Sequence, residues 1–91
     1  MGLKMVLVTT DYRGVFAGYI DQDSAPDLVV LTKARNVIYW SADVNGVFGL
    51  AKTGPSAGCK IGPAVDRLRA FKVTSVTDMT LEAQAKWEAL P

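Results

Sequence analysis

Four short runs of β-branched and large apolar residues follow one another early in the chain: KMVLVTT (Lys4 to Thr10), VFAGYI (Val15 to Ile20), LVVLT (Leu28 to Thr32) and NVIYWS (Asn36 to Ser41). Each is the length of a strand, and turn-forming residues cut each one off. That rhythm leaves no helix-strand alternation and so disfavours a parallel α/β layout. Asp11-Tyr12-Arg13-Gly14 joins the first two runs as a hairpin, with Gly14 free to supply a positive φ if the turn needs one. LVVLT is apolar throughout, as in a strand buried on both sides, and Lys33-Ala34-Arg35 reads as a bend or bulge before NVIYWS.

Further on, Asp43-Val44-Asn45-Gly46 contains the Asn-Gly pair of a type I′ turn and predicts that Val47 to Ala51 returns as a strand beside Tyr39-Trp40. Leu68 to Val76 reads as a last strand with a possible kink. Met79, Ala83, Trp87 and Leu90, spaced four, four and three apart, form a helical stripe that Asp78 or Thr80 can cap. So short a helix does not persist alone and must dock on the sheet or on a neighbouring subunit. The expected fold is mainly β: one domain over residues 1–91, a small antiparallel SH3-like or partly open barrel of five to six strands within residues of about 4–76, then a short C-terminal α-helix at about 80–89.

A chain of 91 residues with an apolar content of 49% can form a core, but it hides only about 60 to 65 per cent of its unfolded surface. A homo-oligomer is therefore expected. Ten Lys and Arg against nine Asp and Glu give a net charge of +1, far from the excess that duplex nucleic acid requires. With no histidine and one cysteine, neither a disulfide nor a zinc cluster can form, so no metal site and no cofactor are expected. The apolar run near the start is too short for a signal core or a membrane span, which points to a cytoplasmic protein without a membrane partner.

The stretch KTGPSAGCKIGPAV (Lys52 to Val65) invites a phosphate-loop reading. The register fails: counted from Gly54, Cys59 stands where the second glycine belongs, and Ile61 follows Lys60 where a hydroxyl should be. The loop's backbone N–H groups can still form an anion-binding nest. Cys59 has no histidine to activate it and is expected in the core, while Asp21 and Asp23 lack the spacing of a calcium loop and read as solvated. Phe16, Trp40 and Phe48 are expected in the core, and Tyr39 at a ligand or subunit contact. No catalytic residue is expected, and the chain does not read as an enzyme. The candidate ligand-binding set is Lys52, Thr53, Gly54, Ser56, Gly58 and Lys60 of the loop, with Arg13, Arg35 and Tyr39.

The segments RGVFAG (Arg13 to Gly18), ARNVIYW (Ala34 to Trp40), GVFGLAKTGP (Gly46 to Pro55), VTSV (Val73 to Val76) and EAQAKW (Glu82 to Trp87) resemble a family of small bacteriophage and prophage proteins, a domain of unknown function. The resemblance implies phage origin and action in the cytoplasm of an infected bacterium. It brings no catalytic role with it. By analogy of functional class, such proteins inhibit host defence, some by sequestering a nucleotide immune signal. The expected function is a non-enzymatic phage accessory protein, an oligomer that binds a small anionic ligand such as a nucleotide. The alternative is a protein-interaction module that inhibits a host protein or acts in phage assembly.

Overall fold

The structure, a computed structural model, describes residues 4–11, 14–21, 24–25 and 28–90. In chain order the elements are β1 (Met5–Thr10), β2 (Val15–Ile20), β3 (Leu28–Tyr39), a 3-10 turn (Ala42–Val44), α1 (Gly46–Lys52), β4 (Lys60–Ile61), β5 (Val65–Phe71), β6 (Val73–Asp78) and α2 (Leu81–Glu88). All strand pairings are antiparallel. The sheet runs β4-β3-β2-β1-β6, and β5 pairs with β3. β5 lies along residues 28–34 of β3, and β4 takes over at Val37 and Tyr39. The chain is therefore mainly β, six antiparallel strands in an open, unclosed sheet with a short C-terminal helix.

Two neighbouring runs of the sequence merge into one long bent strand. Opposite β2, Ala17 pairs with Arg35 but Tyr19 with Thr32, so β3 carries one extra residue. Lys33, at φ 50°, absorbs it, which is the bulge expected in Lys33-Ala34-Arg35. Gly18 faces this bend: a Cβ there would stand 3.1 Å from the Ala34 Cα and the Thr32 carbonyl oxygen, a tight approach that would push the backbone of β3 aside by a few tenths of an ångström. A second extra residue, Thr74, kinks β6 against β1, where Thr9 Oγ1 meets Thr74 Oγ1 at 2.7 Å and Ser75 Oγ at 2.6 Å. A bulge of this kind blunts an open sheet edge against unwanted pairing.

Both faces of the sheet are covered, which explains why Met5, Val6, Leu7 and Val8 are all buried. On one face Val6, Val8, Val29, Leu31, Ala34 and Ala70 pack among residues of the strands alone, with Phe16, Ile20, Leu68 and Val73 at the margin. The sheet bends over itself there. On the other face Met5, Leu7, Val15, Ala17 and Val37 meet Val44, Leu50, Ala51, Ala83 and Trp87 of the helical segments. Met79 and Leu90 complete the predicted stripe at the edge of this cluster. Thr80 caps α2, its Oγ1 accepting from the Ala83 N–H at 3.0 Å, and Trp87 Nε1–H donates to the Leu50 carbonyl at 3.0 Å.

The structure corrects several expectations. Val47 to Ala51 is not a returning strand but most of α1. Asn45 and Gly46 do have positive φ, 64° and 79°, as the turn requires, yet they link the 3-10 turn to the helix. Val47, Leu50 and Ala51 then face the core at helical spacing, and Phe48 is turned outward at 74% exposure rather than into the core. Leu68 to Val76 is two strands, β5 and β6, hinged at Lys72 with φ 54°. Cys59 is half-buried at the margin of the core rather than inside it. A Cβ at Gly14 would press on Thr10 Oγ1, which would have to move aside. Trp40 and Phe16, like Cys59, are half-buried at the margins of the two clusters rather than inside them.

Replacing Trp87 with Ala should cost about 3 to 5 kcal/mol, since it opens a cavity and leaves the Leu50 carbonyl without its donor. Urea unfolding measures this, and a loss below about 1 kcal/mol would contradict the packing described.

Candidate functional site

The loop expected to cradle an anion is divided among three tasks. Lys52 ends α1, and Thr53 caps it by donating both its N–H (2.8 Å) and its hydroxyl (3.1 Å) to the Gly49 carbonyl. Thr80 of the α2 cap donates its hydroxyl to the Lys52 carbonyl at 2.6 Å and its N–H to the Ala51 carbonyl at 3.0 Å. Gly54, at φ 87°, lies under Lys86 and Ala83 of α2. Lys52, Thr53 and Gly54 thus form the seat of α2.

Ser56 and Gly58 belong to a second cluster. The Ser56 hydroxyl donates to Asp43 Oδ1 at 3.1 Å and lies 3.1 Å from Ser41 Oγ and 3.8 Å from Cys59 Sγ; Ser41 donates to the same carboxylate. Gly58 packs closely against Ser41. The hydroxyl bonds from Ser41 and Ser56 hold the Asp43 carboxyl below its usual range. Partial burial pulls the Cys59 thiol up, but bonds from Ser41 and Ser56 outweigh it and the net direction is down. The N–H groups of Thr53, Cys59 and Gly62 are spent on the Gly49, Ser56 and Asn36 carbonyls.

Lys60 and Tyr39, both exposed, pair at the end of β3 and β4. Arg13 lies outside the described residues. Arg35 donates to the Gly62 carbonyl at 3.1 Å and the Leu90 carbonyl at 3.3 Å, tying β3 to the loop and to the end of α2. Of the sequence-derived set, Arg35 and Ser56 come together, with Cys59, Ile61, Pro63 and Leu90, around a hollow of about 240 Å³.

A larger hollow of about 330 Å³ also has Arg35 in its lining. Met5, Tyr19, Lys33 and Arg35 come to it from β1, β2 and β3, Ala64 from the link before β5, and Trp87 and Glu88 from α2. The bulge puts the cations here: Lys33 is the inserted residue, and Arg35 follows opposite Ala17 of the helix-covered face. The Tyr19 hydroxyl donates to Glu88 Oε2, which also accepts from Gln84 Nε2 at 3.1 Å. Burial, then the bond to Glu88 and its charge, push the Tyr19 phenol up to about 12. The Tyr19 and Gln84 bonds, against some burial and with the Lys33 charge assisting, hold Glu88 below the ordinary carboxylate range. Tyr19, Lys33, Trp87 and Glu88 were not in the sequence-derived set; the one local signal was the bulge at Lys33-Ala34-Arg35.

What the fold and this hollow define is a small β-sheet protein, helix-covered on one face, with a mixed-charge depression where α2 meets the sheet. Among the described residues no cluster of His, Cys, Asp and Glu could hold a metal ion, and no helix is long and apolar enough to cross a membrane. The chain belongs to the family of a domain of unknown function, DUF6948, whose model matches residues 3–87. Neither curated proteins nor solved structures give a match.

The Tyr19-Glu88 pair has a definite pH signature. Tyr19's folded value lies above its unfolded value of 10.0, so its stabilisation is whole below pH 10 and is lost as pH rises toward about 12. Glu88 has the opposite sign: its contribution is present above the ordinary carboxylate range and is lost on acidification through its lowered value. Glu88→Gln should lower the Tyr19 midpoint, followed by ultraviolet absorbance of the phenolate, only part of the way from about 12, since burial, the largest cause, stays in place. An unchanged midpoint would show that Glu88 is not its partner.

Proposed function

We propose that the chain is a non-enzymatic binding protein that captures a small anionic ligand, such as a nucleotide, in the hollow between β2, β3 and α2. The observation that carries this reading is the presence of both Lys33 and Arg35 in the lining of a hollow that Met5 and Trp87 also line. Its volume falls in the range of small-molecule sites. Lys33 adds weight because a lysine held at φ 50° adopts a backbone that L side chains seldom choose, and such positions cluster at binding sites. Arg35 serves by fixing the wall, through its bonds to the Gly62 and Leu90 carbonyls.

The non-enzymatic part of the proposal rests on a chain with no histidine and a single cysteine. The proposed setting, a phage accessory protein that sequesters a nucleotide immune signal in the host cytoplasm, rests on the resemblance of the sequence segments. The proposed homo-oligomer draws support from Phe48, Phe71 and Leu81, exposed at 74%, 63% and 85%. The same side chains favour the second reading, a protein-interaction module that inhibits a host protein or acts in phage assembly.

Thermal-shift and calorimetric titration with mono-, di- and cyclic nucleotides and with pyrophosphate tests the leading reading. At about a hundredfold excess over Kd, a bound ligand adds about 2.7 kcal/mol, which for a domain of this size raises Tm by about 10 °C or more. Lys33→Asn removes the charge while keeping a residue that tolerates positive φ, and should abolish most of the shift. No shift with any of these anions would refute the ligand reading and leave the interaction module.

A further inference from the structure

Two opposite charges share the larger hollow without meeting. Lys33 and Glu88 both line it, and the Lys33 charge is felt at the Glu88 carboxyl. Yet among the described residues no ion pair joins them, although Lys4-Asp78 and Lys86-Glu82 do pair elsewhere. Glu88 is also used unevenly. Both donors that reach it, the Tyr19 hydroxyl and Gln84 Nε2, go to Oε2, and Oε1 has no donor among the described residues. An ionised carboxylate oxygen accepts about two hydrogen bonds and donates none, so the hollow offers a fixed cation on one side and open acceptor capacity on the other.

We infer that the ligand is one that bridges this gap, a nucleotide whose base carries an exocyclic amino group: its phosphate faces Lys33 and its amino group donates to Glu88 Oε1. This deepens the small-anion reading and rests on it. An amino group and a carbonyl are nearly the same size, so space does not choose between them; charge does. A base with a carbonyl at that position would place acceptor against carboxylate and forgo the charge-assisted hydrogen bond, a modest loss because Glu88 is exposed. Tyr19 and Gln84 keep the carboxylate in place by binding its other oxygen, so discrimination needs no movement of α2.

Two pairs of probes isolate the group: AMP against IMP, and CMP against UMP, each titrated by calorimetry into the full chain alongside inorganic pyrophosphate. The amino member of at least one pair should bind about tenfold tighter than its oxo partner. Glu88→Gln, whose amide can turn to donate or accept, should bring that ratio to within about twofold, while Lys33→Asn should weaken both members alike. Equal affinities in both pairs, or a preference that survives Glu88→Gln, would overturn the inference and leave the small-anion reading standing. Pyrophosphate binding without any nucleotide binding would do the same. If none of the five probes binds, both readings fail together. Circular dichroism of Glu88→Gln checks its fold, and Glu88→Ala, which removes the acceptor outright, gives a second route to the same ratio should the glutamine variant misfold.

Discussion

The indole of Trp87 is the contact on which the rest of the molecule turns. Only 1% exposed and bonded through Nε1–H to the Leu50 carbonyl, it joins α2 to α1 and presses both onto Met5 and Leu7. Burying such a ring contributes on the order of 2 to 3 kcal/mol, and the bond adds about 1 kcal/mol. For a domain this small that is a large share of the net stability. Without it the helix has too few residues to persist, the helix-facing side of β1 and β2 lies bare, and Glu88 leaves the hollow. The same few atoms therefore close the core and build one wall of the candidate site.

The other wall depends on an irregularity. A regular β3 would have kept strict alternation, with every second side chain facing the helices. The insertion at Lys33 shifts that alternation by one residue midway along the strand, so Ala34 joins the strand-only cluster while Arg35 turns toward the loop and the end of α2. Gly18 makes room for the bend. A defect in the ladder and a small residue opposite it thus place positive charge at the seam between sheet and helix. A regular strand would have put an apolar side chain there or lost the charge to solvent.

How far the sequence could be read depended on the range of the interactions involved. The β1-β2 hairpin, the bulge and the helical stripe of Met79, Ala83, Trp87 and Leu90 rest on local signals, and the structure has all three. α1 is not legible as a helix because GVFGLAK is only seven residues long. Over so few positions, apolar spacing of a helix and of a buried strand look alike, and the Asn-Gly pair tipped the balance toward a hairpin. The larger hollow could not have been assembled locally: Lys33 and Glu88 are 55 positions apart, and only the docking of α2 brings them together. The loop from Lys52 to Gly62 drew attention by composition, yet its Ser56 already serves an internal carboxylate, Asp43. Glycine and proline there reflect tight turns and the seat of a helix.

The position of α2 also dictates when the chain can finish folding. Its partners Met5, Leu7, Val15 and Ala17 lie far ahead of it in the chain, and β6, which must pair with β1, comes just before it. During synthesis β1 and β2 therefore wait, apolar on the helix-facing side, until α2 has left the ribosome. Topologies that join distant segments fold slowly and expose sticky intermediates. Chaperone occupancy of the nascent chain should therefore be highest just before Trp87 emerges.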